Sequence, residues 1–186
     1  ATIRKQKIIM SLLTIKSHTK HFYLKKSIKN KIEIKNMSET HIKDGAALTK
    51  FIYWLKVINK NKLTEIDAKN KLEQFRKLNK DYISPSFETI SGTGSNGAIV
   101  HYKVDKKSNK VIKKDHIFLC DSGGQYKYGT TDVTRTFCFS KQKQTIKNIY
   151  TMFLNGNIEL VNTDIKKFIS GTTITDMSRK FLKTML

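Results

Sequence analysis

Asp121-Ser-Gly-Gly-Gln-Tyr-Lys-Tyr-Gly-Thr-Thr-Asp132-Val-Thr-Arg-Thr136 is the stretch whose reading decides the fold. It follows Ile117-Phe118-Leu119-Cys120, an apolar run with the character of a central strand. Gly123, Gly124 and Gly129 mark a hairpin, and residues 132–139 read as the returning strand. Asp121 stands at the end of the outgoing strand and Asp132 at the start of the return, so the hairpin can bring both carboxylates to one point. Paired carboxylates suit hard divalent cations, which prefer oxygen ligands. Asp beside Gly is also ordinary turn chemistry, and spacing alone leaves both readings open.

Working upstream, Ser86 to Ile90 alternates polar and apolar residues and predicts a half-buried strand after Pro85. Gly92 to Gly97 fits G-x-G-x-x-G. A dinucleotide site needs a helix to open directly after that loop, and here Ala98 to Tyr102 predicts a second strand. The nucleotide reading is therefore rejected and the glycines are assigned to a tight turn. His101 falls on that predicted strand, where a lone His is more often a core residue than a functional one. Residues 105–110 read as a polar turn.

Helical periods flank this block. Ile34, Met37, His41, Gly45, Leu48, Ile52 and Leu55 recur at spacings of three and four, predicting one buried face over residues 29–58. His41 is assigned to the edge of that face rather than to a ligand role. Thr64 is a candidate cap with Asp67 three residues on, opening a helix that buries Ala68, Leu72 and Phe75 and ends near Leu78. From about Lys141 the positions of Ile146, Ile149, Phe153, Ile158 and Val161 fit an amphipathic helix. Thr175 is read as the cap of a last helix carrying Phe181, Leu182 and Met185. Two helices, a four-strand block and two more helices make an α+β domain with an antiparallel sheet.

Composition narrows the function classes. The 186 residues are 38% hydrophobic and 27% charged, a globular balance. The formal net charge of +21 raises nucleic acid or an acidic surface as a partner. The lysines are scattered rather than blocked, so solvated helix faces are the preferred reading. Cys120 and Cys138 are too few for a disulfide framework and are read as reduced core residues of a cytosolic protein. Asn36-Met37-Ser38 matches a glycosylation acceptor by chance inside a helical pattern. No apolar run reaches membrane-span length. The chain starts with Ala1 and carries no cleavage site after Ile8 to Ile15, so an internal or trimmed start is expected.

Taken together, the segments resemble a known family. The stretch Asp121 to Thr136 resembles the metal-binding hairpin of aminopeptidase P, the Xaa-Pro aminopeptidases. Pro85 to Ile90 and Asn96 to Tyr102 resemble the strands before it. Lys29, Asn30, Glu33 and His41 to Leu48 resemble the helix that opens the catalytic domain. The match runs from about Lys25 to the C-terminus, with its motifs in the family's order.

The resemblance implies the pita-bread fold, here its first half and the start of the second. Residues 1–27 would be a connector from an upstream domain and 28–186 an incomplete catalytic domain. It implies Asp121 on one metal, Asp132 bridging two, and His101 contacting the substrate. The cofactors would be two divalent ions, usually manganese. The substrates would be peptides with proline second, cut by a cytoplasmic enzyme that is a homodimer at full length, with no membrane or nucleic acid involved. A further His, two Glu and a proline-recognition loop are expected beyond Leu186, so the 186 residues alone are expected to be inactive. The runners-up are a prolidase or methionine aminopeptidase relative and a non-catalytic binding protein on the same fold. Phe87 to Ile90 and Gln125 to Lys127 favour aminopeptidase P.

Overall fold

Asn30 begins the first long helix by a reciprocal capping box. Its side chain accepts from the Ile32 and Glu33 amides, and Glu33 accepts from the Asn30 amide at 2.8 Å. The helix, α1, runs Lys31–Val57. In this computed structural model the described residues are 22–58, 62–164, 172, 174–176 and 179, with 22–27 helical. Thr64 and Asp67 cap α2, Glu65–Lys77, in the same reciprocal way. Both starts follow from local chemistry, since the first amides of a helix lack intrahelical partners.

The strands are β1 (Tyr82–Pro85), β2 (Ile90–Thr93), β3 (Ile117–Ser122), β4 (Gly124–Tyr126), β5 (Gly129–Thr130) and β6 (Val133–Cys138). They form two three-stranded sheets, ordered β1-β4-β5 and β2-β3-β6. β2 pairs antiparallel with β3 in the register Ile90 with Asp121 through Thr93 with Phe118. As predicted, β3 is the central strand of its sheet. It buries Phe118, Cys120 and Ser122 and leaves the alternate residues half-buried.

The described chain divides into two compact units, 1–113 with 118–137, and 114–117 with 138–186. The first has a core that includes Phe51, Leu55, Ala68, Leu72, Ile112 and Phe118, all fully buried. Phe51 stacks on Trp54, and Phe118 on Phe137 at 5.9 Å between ring centres. The second contains α3, Gln144–Asn162. On α3 Ile146 and Ile149 are half-buried, while Phe153, Ile158 and Val161 are exposed.

Several sequence expectations are corrected. Residues 86–89 are not strand: β1 ends at Pro85 and β2 starts at Ile90. Residues 98–102 are not strand either. A 3-10 turn at Gly94–Ala98 and a further turn replace it, because Asn96 and Tyr102 are both drawn inward to Glu65. The buried face of α1 is Thr40, Asp44, Ala47, Leu48, Phe51 and Leu55, leaving Ile34 and His41 exposed. The apolar stripe misjudged the first half of the helix because its inward residues there are polar. Cys138 is exposed rather than in the core, lying at the end of β6. Cys120 is buried, and burial pushes its thiol up to about 12. The predicted positions Phe181, Leu182 and Met185 lie outside the described residues.

Candidate metal-binding hairpin

Asp121 lies on β3 with its neighbours Cys120 and Ser122 turned into the core, so strand alternation turns its own side chain the other way. Thr134, on β6, donates its hydroxyl to Asp121 Oδ1 at 2.8 Å. Asp132 stands two residues before Thr134, immediately ahead of β6. Asp132 is exposed and Asp121 half-buried. The donors are carboxylate oxygens only, a set that fits a hard divalent cation. Among the described residues no three His, Cys, Asp or Glu come together as a metal site.

Beneath this face the hairpin rests on a buried ion pair. Asp44 from α1 and Arg76 from α2 have side chains 1% exposed each. Arg76 Nε donates to Asp44 Oδ1 at 2.7 Å and Nη2 to Oδ2 at 3.1 Å, a bidentate contact. Arg76 Nη2 also reaches Ser122 Oγ at 3.1 Å, and the Tyr126 hydroxyl donates to Asp44 Oδ1 at 2.8 Å. Burial pushes the Asp44 carboxyl up. The Arg76 hydrogen bond and charge, with the Tyr126 and Thr131 hydroxyls, outweigh it and leave the carboxyl below its ordinary value. Burial also raises the Tyr126 hydroxyl, as does its bond to Asp44. Gly123 is required where the two arms close: a Cβ there would collide with the Thr131 carbonyl and the Ser86 hydroxyl.

His101 is held differently. It is exposed and has φ 53°, a left-handed backbone that few non-glycine residues adopt. Its neighbour Tyr102 is 5% exposed and donates its hydroxyl to Glu65 Oε2 at 3.0 Å. Burial, with the Glu65 carboxylate beside it, raises the Tyr102 hydroxyl. Glu65 is fully buried and also accepts from Thr93 N at 2.7 Å, Asn96 Nδ2 at 3.0 Å and Lys110 N at 3.1 Å. One carboxylate thus gathers residues 93–110 into a closed loop with His101 at its rim. Gly92 permits the base of that loop, since a Cβ there would lie 2.9 Å from Gly97 N.

Sequence reasoning singled out Asp121, Asp132 and His101. The structure ties Asp121 to the β6 strand that follows Asp132, and places His101 on a separate loop. It missed Asp44, Glu65 and Arg76. The signal was present: Glu65 and Arg76 lie in phase with Ala68 and Leu72, and Asp44 with Ala47 and Leu48. Opposite charges on the apolar stripes of two consecutive helices point to a buried pair.

Residues 35–185 match metallopeptidase family M24. The chain is 48% identical over 160 residues to the "Probable Xaa-Pro aminopeptidase P" of Podospora anserina, covering 84% of this chain and 24% of that protein. It is 47% identical to the protein of the same description from Neurospora crassa, covering 84% and 23%. Among solved structures, it is similar to the X-prolyl aminopeptidase from Caenorhabditis elegans, described as a cytosolic enzyme with a di-nuclear active site. That likeness has a TM-score of 0.76 at 32% identity, over 84% of this chain and 26% of the other. The X-Pro aminopeptidase from Thermotoga maritima matches with a TM-score of 0.72 at 18% identity, over 85% and 42%, a likeness of fold. The architecture is thus part of the pita-bread α+β fold. The chain spans about a quarter of the length of the curated relatives it matches.

Proposed function

From the premise that this chain belongs to metallopeptidase family M24, we propose that the protein containing it is a dimetal aminopeptidase releasing the first residue from peptides with proline second. Asp121 and Asp132 would hold divalent ions, with a further His and two Glu of the protein completing the ligand set. Manganese is the expected metal. The reading is supported by the Thr134 to Asp121 hydrogen bond, which joins the two arms of the hairpin at Asp121. When bound, such ions would supply Lewis acidity for activating water and the scissile carbonyl. Asp121 and Asp132 supply the negative charge that holds them. His101, on its Glu65-anchored loop, donates to the oxygen on which charge develops.

The exposed position of His101 supports a role toward substrate, since an exposed imidazole on a left-handed backbone at the rim of a loop contributes little to packing. The C. elegans enzyme, described as cytosolic, supports a cytosolic site of action. Among the described residues no helix is long and apolar enough to cross a membrane. The full-length protein is expected to be a homodimer, which sedimentation would test. Asp132→Ala in the full-length protein should lose metal binding and release of the residue before proline together. Full turnover in that variant, or turnover indifferent to a chelator, would point to other chemistry.

A further inference from the structure

We infer that the buried Asp44–Arg76 pair is the positioning device of the metal-binding hairpin, setting the separation of the Asp121 and Asp132 carboxylates. The inference rests on the proposed role of those two residues. Ser122 follows Asp121 directly, and its hydroxyl accepts from Arg76 Nη2 at 3.1 Å. Thr131 precedes Asp132 directly, is 1% exposed, and stands beside the Asp44 carboxylate, which its hydroxyl helps to hold below the ordinary value. Thr131 Oγ1 also accepts from the Gly124 amide at 2.9 Å. Each proposed ligand therefore stands one residue from a buried hydroxyl at this ion pair: Ser122 bonded to Arg76, and Thr131 beside Asp44 and bonded to Gly124.

Strand alternation makes this an effective arrangement. Side chains at adjacent strand positions point to opposite faces. Fixing Ser122 on the inner face fixes the backbone from which Asp121 projects on the outer one, and fixing the buried Thr131 restrains the backbone of the exposed Asp132 that follows it. The pair itself cannot drift. It is bidentate, contributed by two helices, and closed off by the Tyr126 hydroxyl on Asp44 Oδ1. Two like charges held side by side repel until a cation arrives, so an apo hairpin without a tether would splay. Ser122, Thr131 and the pair are positioning residues, touching neither metal nor substrate.

Arg76→Met is the obvious variant, but it strands a buried carboxylate and can unfold the protein. The hydroxyls are the better target, because the ion pair stays intact. The test is carried out on the full-length protein with Mn²⁺ alone as the probe, at a temperature well below the thermal midpoint. Its variants are Ser122→Ala with Thr131→Val together, Thr131→Val, Thr131→Ser and Asp132→Ala. Affinity is read from the free Mn²⁺ electron spin resonance signal, and apoprotein stability from thermal melting. Losing both tethers should weaken Mn²⁺ binding by about 10–100-fold, the range seen when residues supporting metal ligands are changed. Thr131→Ser, which keeps the hydroxyl but loses a methyl group, should stay near wild type, whereas Thr131→Val, which keeps the shape, should not. The opposite order would assign Thr131 to packing and overturn the inference. So would a lowered apoprotein midpoint with unchanged Mn²⁺ affinity. Asp132→Ala is the separate control: if it binds Mn²⁺ like wild type, the metal reading of the hairpin falls, whatever the tethers do.

Discussion

The hairpin of residues 121–136 and the loop of residues 93–110 are each organised around a buried charge, but they solve the burial problem differently. Under the hairpin, Asp44 meets the opposite charge of Arg76, and three hydroxyl-bearing residues occupy remaining hydrogen-bonding positions. In the loop, the groups that hydrogen-bond Glu65 are neutral. Its carboxylate is satisfied by two backbone amides, an Asn amide and a Tyr hydroxyl. Burying a charge is costly unless it is paired or fully hydrogen-bonded, and the two regions illustrate the two routes. The paired charge joins α1, α2 and the hairpin, so its loss should be felt across the first unit. The solitary carboxylate gathers one loop, so its loss should be local.

The sharpest way to break this comparison is Arg76→Met. It leaves Asp44 buried and uncompensated, and should cost about 3–5 kcal/mol in urea unfolding. Adding Asp44→Leu should recover much of that loss, since a neutral apolar pair removes the stranded charge. A double variant no better than Arg76→Met would mean that the hydroxyl partners matter more than the pair. The pH dependence follows from the depressed Asp44 carboxyl. The unfolded carboxyl titrates near its ordinary value of 3.8, and the folded one below it. The pair's contribution is therefore present above that value and lost as pH falls through the lower folded value. Unfolding free energies measured stepwise below pH 5 should fall less steeply in Asp44→Asn than in wild type.

Glu65→Gln is expected next in size, at about 1–3 kcal/mol, because one oxygen becomes an amide facing donors and leaves a buried group unpaired. Hydrogen exchange should quicken chiefly at Thr93 and Lys110, whose amides bond Glu65. Exchange quickening equally in α1 and β4 would remove the distinction between the local and the shared charge. Thr64→Ala should cost about 1 kcal/mol through the lost α2 cap, read from the thermal midpoint. His101→Gly should have the smallest effect on stability, within about 1 kcal/mol, since glycine accepts a left-handed backbone without strain. If that variant also keeps full peptide turnover, His101 has no role toward substrate.

How much was legible beforehand depended on range. Thr64 with Asp67, the central strand Ile117 to Ser122 and the glycine-marked hairpin after it were readable because each rests on neighbours in sequence. Caps, alternation and tight turns are short-range chemistry. Asp121 and Asp132 were readable for the same reason, being the two ends of one hairpin. The run from Ala98 to Tyr102 was misread as a strand because Asn96 and Tyr102 answer to Glu65, more than thirty positions back. Asp44 and Arg76 were passed over because they occupy core positions as charges, and only their phase with the apolar stripes marked them. Only the approach of α1 to α2, 32 residues apart at this contact, turns two misplaced charges into a satisfied pair. Sequence by itself therefore determined where the helices and the hairpin begin. Tertiary structure alone decided what the hairpin stands on, because a buried charge is tolerable only once its partner has arrived from elsewhere in the chain.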